Sequence, residues 1–191
     1  MLVILNDLFF WKVAKRIVGR DAARFSLILF FFNRFQTMHM IRTLTNSIEQ
    51  VFTVVAFYFY IDQKNKFNLN TVILTALISI AFMMRNTSPV GWIPLLAIKV
   101  LKEGALLPFI LSGVFVALPI LMFCVWVDTT MYKADDWVLT GYNFFEMNIL
   151  HGLSKYFGED GPFYYFIVAL PSIFIVLVPT AFVSIISHLK F

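Results

Sequence analysis

The stretch "LLPFILSGVFVALPILMFCVWV", Leu106–Val127, runs for 22 residues without a charged side chain. An α-helix needs roughly 20 apolar residues to cross the hydrocarbon core of a bilayer, so this run reads as a membrane helix. A second run, "FYYFIVALPSIFIVLVPTAFVSIIS" (163–187), adds 25 uncharged residues. The rest of the chain fits the same reading. Of its 191 residues 60% are hydrophobic, 23 of them phenylalanine, and the mean hydropathy is +0.83. A soluble domain of this size has too much surface to be covered by so few charges. The expected fold is all-α: a polytopic integral membrane protein, one transmembrane domain over 1–191.

Further apolar segments lie at about 1–11, 25–41, 48–61, 71–84 and 90–101, which makes six to seven membrane segments in all. The first and fifth are short for a full span, and residues 85–101 are open to a re-entrant alternative. Lys12, Lys15, Arg16, Arg20 and Arg24 read as a basic linker between the first two segments, and the positive-inside rule puts it in the cytosol. Alternation then assigns 62–66, 99–104 and the tail to the cytosol as well. Residues 42–47, 85–89 and the long hydrophilic loop 128–162 fall on the far side. On this scheme ten of the 15 Lys and Arg are cytosolic and four are not, with Arg34 left inside a segment. The first segment would start on the far side, which suggests a span upstream of it. The formal charge of +4 is explained by this topology, so no nucleic acid partner is expected. The single cysteine, Cys124, excludes an intrachain disulfide.

Three polar stretches interrupt the apolar pattern. "RTLTNSIEQ" (42–50) reads in part as a helix start, Asn46 as N-cap with Glu49 three residues on. That leaves Arg42 and the extra hydroxyls unexplained. "MMRNTSPVGW" (83–92) presents an arginine, hydroxyls and a helix restart at Pro89. It reads either as an interfacial arginine and turn or as an oxyanion site. The loop 128–162 carries six acids, two lysines and interleaved aromatics, a mixture suited to sugars or to an interfacial amphipathic helix. Phosphate-loop, CxxC, HExxH and nucleophile-elbow patterns are missing. His39, His151 and His188 are scattered, so no metal site is expected.

These stretches together resemble a known family. "RTLTNSIEQVFTVVAFYFY" is similar to the Arg-Thr-Leu/Phe-Ser/Thr-Asn-Ser/Thr-hydrophobic-Glu stretch of endoplasmic-reticulum (ER) mannosyltransferases that use dolichyl-phosphate mannose. "RNTSPVGWIPLL" resembles their Arg-Pro-Thr stretch with its following tryptophan. "VDTTMY", "YNFFEMNIL" and "FGEDGPFYYF" resemble three further motifs, in the family's order, over residues 42–171. Within the family the resemblance is closest to the branch that adds the third mannose to a glycosylphosphatidylinositol (GPI) precursor. The fourth-mannose branch shares much of the pattern, and the N-glycan members are more distant.

The resemblance implies a GT-C-type membrane core and an inverting transfer of mannose. The donor would be lipid-linked dolichyl-phosphate mannose and the acceptor a GPI glycolipid in the ER lumen, with no cofactor. It implies that Arg42, Arg85 and Thr87 bind the donor phosphate, that Asp128, Asn143 and Asn148 form the sugar site, and that Asn46 and Glu49 support the Arg42 turn. The catalytic base stays unassigned, because the family's acidic motif lies upstream of anything matched here, and the chain reads as a fragment. Asp135 and Asp136 would serve only if the loop had taken over that work. The family's proline is Asn86 here, and Phe163, Tyr164 and Tyr165 stand where it has His and Trp. Two other classes fit the residues alone: a non-catalytic membrane subunit, or a transporter fragment with Arg34 and Arg85 along its path, although no inverted repeat is visible.

Overall fold

The computed structural model describes residues 2–33, 45–158, 161, 163–169, 171–172 and 186. Arg34, His39, Arg42, His188 and most of the 163–187 run lie outside the described residues. All regular elements described are helical. Leu106–Tyr132 is the one described helix long and apolar enough to cross a membrane by itself, where six to seven segments were expected. The other long helices have 13 to 18 residues.

Helices α1 (Leu2–Val18) and α2 (Arg20–Phe32) meet at Gly19, whose φ of +82° is cheap only for glycine. The expected basic linker is therefore helix, broken at one residue. Lys and Arg are good helix formers, and the charges at the end of α1 find partners. Arg16 pairs with Asp62, donates to the Tyr58 hydroxyl at 2.8 Å and stacks 4.0 Å from the centre of that ring.

Helices α3 (Thr45–Asp62) and α4 (Leu69–Met84) form an antiparallel pair. The fully buried side chains along them are mostly small, Ala56, Ala81 and Thr71, with Val51 and Leu74 the larger ones. Helices in an apolar solvent gain little from hydrophobic transfer and associate by close packing over such residues. Asn68 caps α4 by accepting from the Thr71 amide at 3.0 Å. Helix α3 starts at Thr45, so Asn46 lies in its first turn instead of capping it.

Helix α5 (Pro89–Glu103) starts on the N1 proline and ends on Gly104 with φ +66°. It packs by Trp92, 3% exposed, against the rings of Phe57 and Tyr60. It begins beside Arg85 and ends where a Cβ on Gly104 would stand 3.3 Å from the Asn65 amide. Residues 85–101 thus run from one end of the helix group to the other and form no re-entrant hairpin.

Helix α6 (Leu106–Tyr132) is about 40 Å long at 1.5 Å per residue. Thr75 of α4 donates to Ser112, in the second turn of α6, at 2.9 Å. Gly113–Ala117 is a π-helical turn. It lies just before Pro119, whose ring would otherwise clash with the preceding turn. The helix runs five residues past the charge-free stretch, so Asp128 stands on a helix and not in a loop. Thr129 and Thr130 donate back to the carbonyls of Val125 and Trp126, at 2.7 and 2.8 Å, and their polarity does not end it. Lys133 ends it with φ +52°, followed by the amide of Ala134 on the Thr129 carbonyl at 3.2 Å.

The contacts gather the chain into two ends. At one end Arg16 meets Asp62, and Lys99 Nζ donates to the Gln63 carbonyl at 2.8 Å and to Glu103 at 2.9 Å. At the other, the start of α3, the end of α4, the start of α5 and the end of α6 come together.

Candidate functional site: two clefts beside Arg85

The polar end holds the candidate site. Arg85 ends α4 in an extended conformation, and residues 85–88 form a turn with the Ser88 amide donating to the Arg85 carbonyl at 2.9 Å. This turn faces the end of α6 because the chain after Lys133 doubles back. The Val138 amide donates to Thr129 Oγ1 at 3.0 Å, which brings α7 (Thr140–Phe145) alongside Asp128. Thr140 Oγ1 donates to Asp128 Oδ2 at 2.6 Å. Gly141 permits the approach, since a Cβ there would stand 3.0 Å from Phe82 Cζ.

The result is a cleft of about 430 Å³ whose lining includes Arg85, Asn86, Thr87, Asp128, Thr140 and Phe144. A second cleft, of about 620 Å³, lies on the other side of the same turn. Arg85 and Thr87 line it too, with Glu49, Thr53, Ser88 and Trp92. Arg85 Nη1 stands 3.4 Å from Glu49 Oε2, and the Arg85 side chain is half exposed while that of Glu49 is 18% exposed. A half-wet guanidinium with one long ion pair keeps donors available for an anion.

Of the site residues expected from sequence, Arg85, Thr87 and Asp128 share one cleft. Arg42 lies outside the described residues. Glu49, expected beside Arg42, reaches across to Arg85. Asn143 is exposed and lines neither cleft. Asn148 donates to the Phe144 carbonyl at 3.0 Å, inside a π-helical turn at Glu146–Leu150, and lines neither. Asp135 and Asp136 are exposed in the connecting segment and also line neither. Among the described residues no group of three His, Cys, Asp or Glu is placed to hold a metal.

Sequence reading overlooked Thr53, Thr140 and Phe144, and carried Ser88 only as one of the hydroxyls of the 83–92 stretch. Two signals were present: a glycine at 141 among bulky residues, marking close approach, and a serine before the N1 proline of α5.

The Alg9-like mannosyltransferase family profile matches residues 1–191. The chain is 28% identical to GPI alpha-1,2-mannosyltransferase 3 of Bos taurus over 91% of its own length and 32% of that protein's. It is 26% identical to the Homo sapiens protein of that name over 91% and 31%, and 26% identical to GPI mannosyltransferase 3 of Yarrowia lipolytica over 87% and 32%. The chain spans about a third of the length of these relatives. No solved structure matches it. A match along its whole length makes the chain a member of the Alg9-like mannosyltransferase family.

Proposed function

We propose that this chain is the membrane core of a GPI mannosyltransferase, moving mannose from dolichyl-phosphate mannose to a GPI precursor in the ER lumen. The observation that carries the reading is the meeting of Arg85, Thr87 and Asp128 in one cleft, residues that lie 43 positions apart at the extremes. Glycosyl transfer from a lipid phosphate needs a cation where the leaving phosphate gathers charge and acceptors for sugar hydroxyls. Arg85, together with Arg42, supplies the first and Asp128 the second, with Thr140 fixing the carboxylate's orientation. The catalytic base is a carboxylate that deprotonates the acceptor hydroxyl; none of the described residues is assigned to it. Asn143 and Asn148 fit the sugar site less well, because neither lines the cleft. The activated donor makes a cofactor unnecessary.

The two ends support a multi-pass arrangement. Lys99 and Arg16 mark the basic, cytosolic end, and the clefts open at the luminal end. Helices shorter than a full span fit by local thinning of the bilayer and by packing within the group.

The test is mannose transfer in microsomes with dolichyl-phosphate mannose and a two-mannose GPI acceptor. Arg85→Ala is expected to lower kcat/KM by about a hundredfold, in the range seen when one charge-stabilising donor is removed, with Arg85→Lys intermediate. Wild-type kinetics in Arg85→Ala, or no transfer by well-expressed wild-type protein, overturns the reading. The latter outcome favours a non-catalytic subunit.

A further inference from the structure

Helices α1 and α2 enclose a groove of about 690 Å³, lined at positions 4, 7, 8 and 11 of the first and 24, 27, 28 and 31 of the second. On both helices this is the i, i+3, i+4, i+7 stripe of one face. Two such stripes side by side make the seat that a third helix fills in a bundle. Among the described residues the seat is bare: Ile4, Leu8, Ile28 and Phe31 are each more than half exposed. Other faces of α1 are taken. Phe9 packs on Val51 and Val55 of α3, and Phe10 stacks on Phe30 of α2 at 4.3 Å.

Apolar side chains need no protein cover in a bilayer, because lipid tails solvate them as well as leucine does. Asp7 does need it. It lies on the groove stripe in the second turn of α1, where an ionisable group is costly unless a polar partner faces it. Asn6 Nδ2, its neighbour in sequence, donates to it at 3.3 Å. Arg24, which also lines the groove, stands 3.4 Å from Asp21 on its own helix.

The chain carries a segment that matches. The run 163–187 has no charge, and its described start is as bare as the groove, with Tyr165 71% and Phe166 70% exposed. Farther along, Thr180, Ser184 and Ser187 recur at the i, i+4, i+7 spacing of one helix face, and Phe182 and Ile185 fall away from it. Hydroxyls bond across helices in a membrane, and they donate to carboxylates. The run leaves the cleft end of the group, where α1 also starts. With Ser187 level with Arg16, Thr180 comes level with Phe9, about 3 Å along the axis from Asp7.

We propose that residues 170–187 dock as a helix in the α1–α2 groove, hydroxyl face inward, with Thr180 donating to Asp7. Tethering gives this segment a high effective concentration at the groove, which favours it over a second chain. Neighbouring helices run α6, α4, α3, α1, α2 across the group, so α6 and the groove lie on opposite sides. The connection 134–162 then crosses the cleft end past the Arg85 turn. Helix α7, held at Asp128 by Thr140, already takes the first step of that crossing. The docking does not depend on the mannosyl-transfer reading.

The test is disulfide cross-linking of the full chain in microsomes, with Cys124→Ser removing the native thiol. Leu8→Cys is combined in turn with a cysteine at each position from 175 to 184. A disulfide needs Cα atoms within about 7 Å, so the initial rate should rise and fall with a period of about 3.6 residues. It is expected to be high for Val176→Cys and Val183→Cys and lost for Val178→Cys and Phe182→Cys. Asp7→Leu should slow the Val176→Cys reaction by about fivefold, the worth of one hydrogen bond between membrane helices. Thr75→Cys with Ser112→Cys, whose hydroxyls touch at 2.9 Å, is the control for the fold. Rates without a period, or none above background while the control pair closes, leave the groove to lipid or another helix and overturn the proposal. Products of twice the chain mass assign the groove to a second copy and overturn it as well. A rate untouched by Asp7→Leu removes the polar contact that selects this segment. A control pair that stays open overturns the helix arrangement on which the groove rests.

Discussion

The two ends of the helix group use their charges in opposite ways. At the basic end, Lys99 is 7% exposed and satisfied on three sides: the Gln63 carbonyl, the Glu103 carboxylate and the Tyr60 ring, 5.0 Å from its centroid. Arg16 is likewise held by Asp62 and Tyr58. At the other end, among the described residues, Arg85 is half exposed with one ion pair at 3.4 Å, beside two unpaired hydroxyls, those of Thr53 and Ser88. Where cations are consumed by neighbours they hold the fold. Where they stand partly unspent, at the edge of a cleft, they are free to hold a ligand. The same residue types give a clasp at one end and a site at the other, and the partners make the difference.

The largest effect that tests this contrast belongs to the clasp. Lys99→Met keeps the aliphatic stem but leaves the Gln63 carbonyl and Glu103 without their donor. Losing hydrogen bonds to a buried charge should cost about 2–3 kcal/mol, or a fall of about 5 °C in the unfolding midpoint. The donor KM of the folded fraction should not move. A donor KM that rises with the loss of Lys99 would mean the two ends are coupled, and the contrast would break.

Much of this architecture was legible from local pattern. The charge-free run 106–127 announced α6, and the serine and proline at 88 and 89 announced the restart of α5. Legibility failed where a partner lies far away in sequence. Glu49 was read against its near neighbour Arg42, but antiparallel pairing of α3 and α4 carries it to Arg85, 36 residues on. The asparagines expected at the sugar site stand outside the Asp128 cleft for a reason of phase. Thr140 and Phe144 are four residues apart and face the cleft together. Asn143 is about 100° around the helix from Phe144 and is exposed. Asn148 would be the next residue in register, but the π-helical turn from Glu146 shifts the phase before it is reached. No local propensity announces that insertion.

Docking of α7 onto α4 supplies a middle-sized effect. Gly141→Val adds a branched side chain where a Cβ alone would already stand 3.0 Å from Phe82 Cζ. Helix α7 should lift, parting Thr140 from Asp128 and lowering kcat/KM for mannose transfer by about tenfold. Gly141→Ala should cost less, since the contact is the far tip of a ring that is able to swing aside. Equal activity in both variants would show that the Asp128 cleft does not need α7 in place, and would remove Thr140 from the site.

The smallest effect is the most discriminating, because its sign is the test. Glu49 competes with an incoming anion for Arg85, and it also keeps that side chain over the cleft. The ion pair is long and partly solvated, so its own stability is worth less than about 1 kcal/mol, and Glu49→Gln should unfold at nearly the wild-type temperature. Removing the carboxylate while keeping a hydrogen-bonding group of the same shape leaves the cleft one negative charge poorer. The donor KM should therefore fall, by about threefold at low ionic strength, and return toward the wild-type value as salt screens the guanidinium. A KM that rises instead assigns Glu49 to positioning Arg85. The cation at the cleft end would then be as fully employed by its neighbours as Lys99 is at the other.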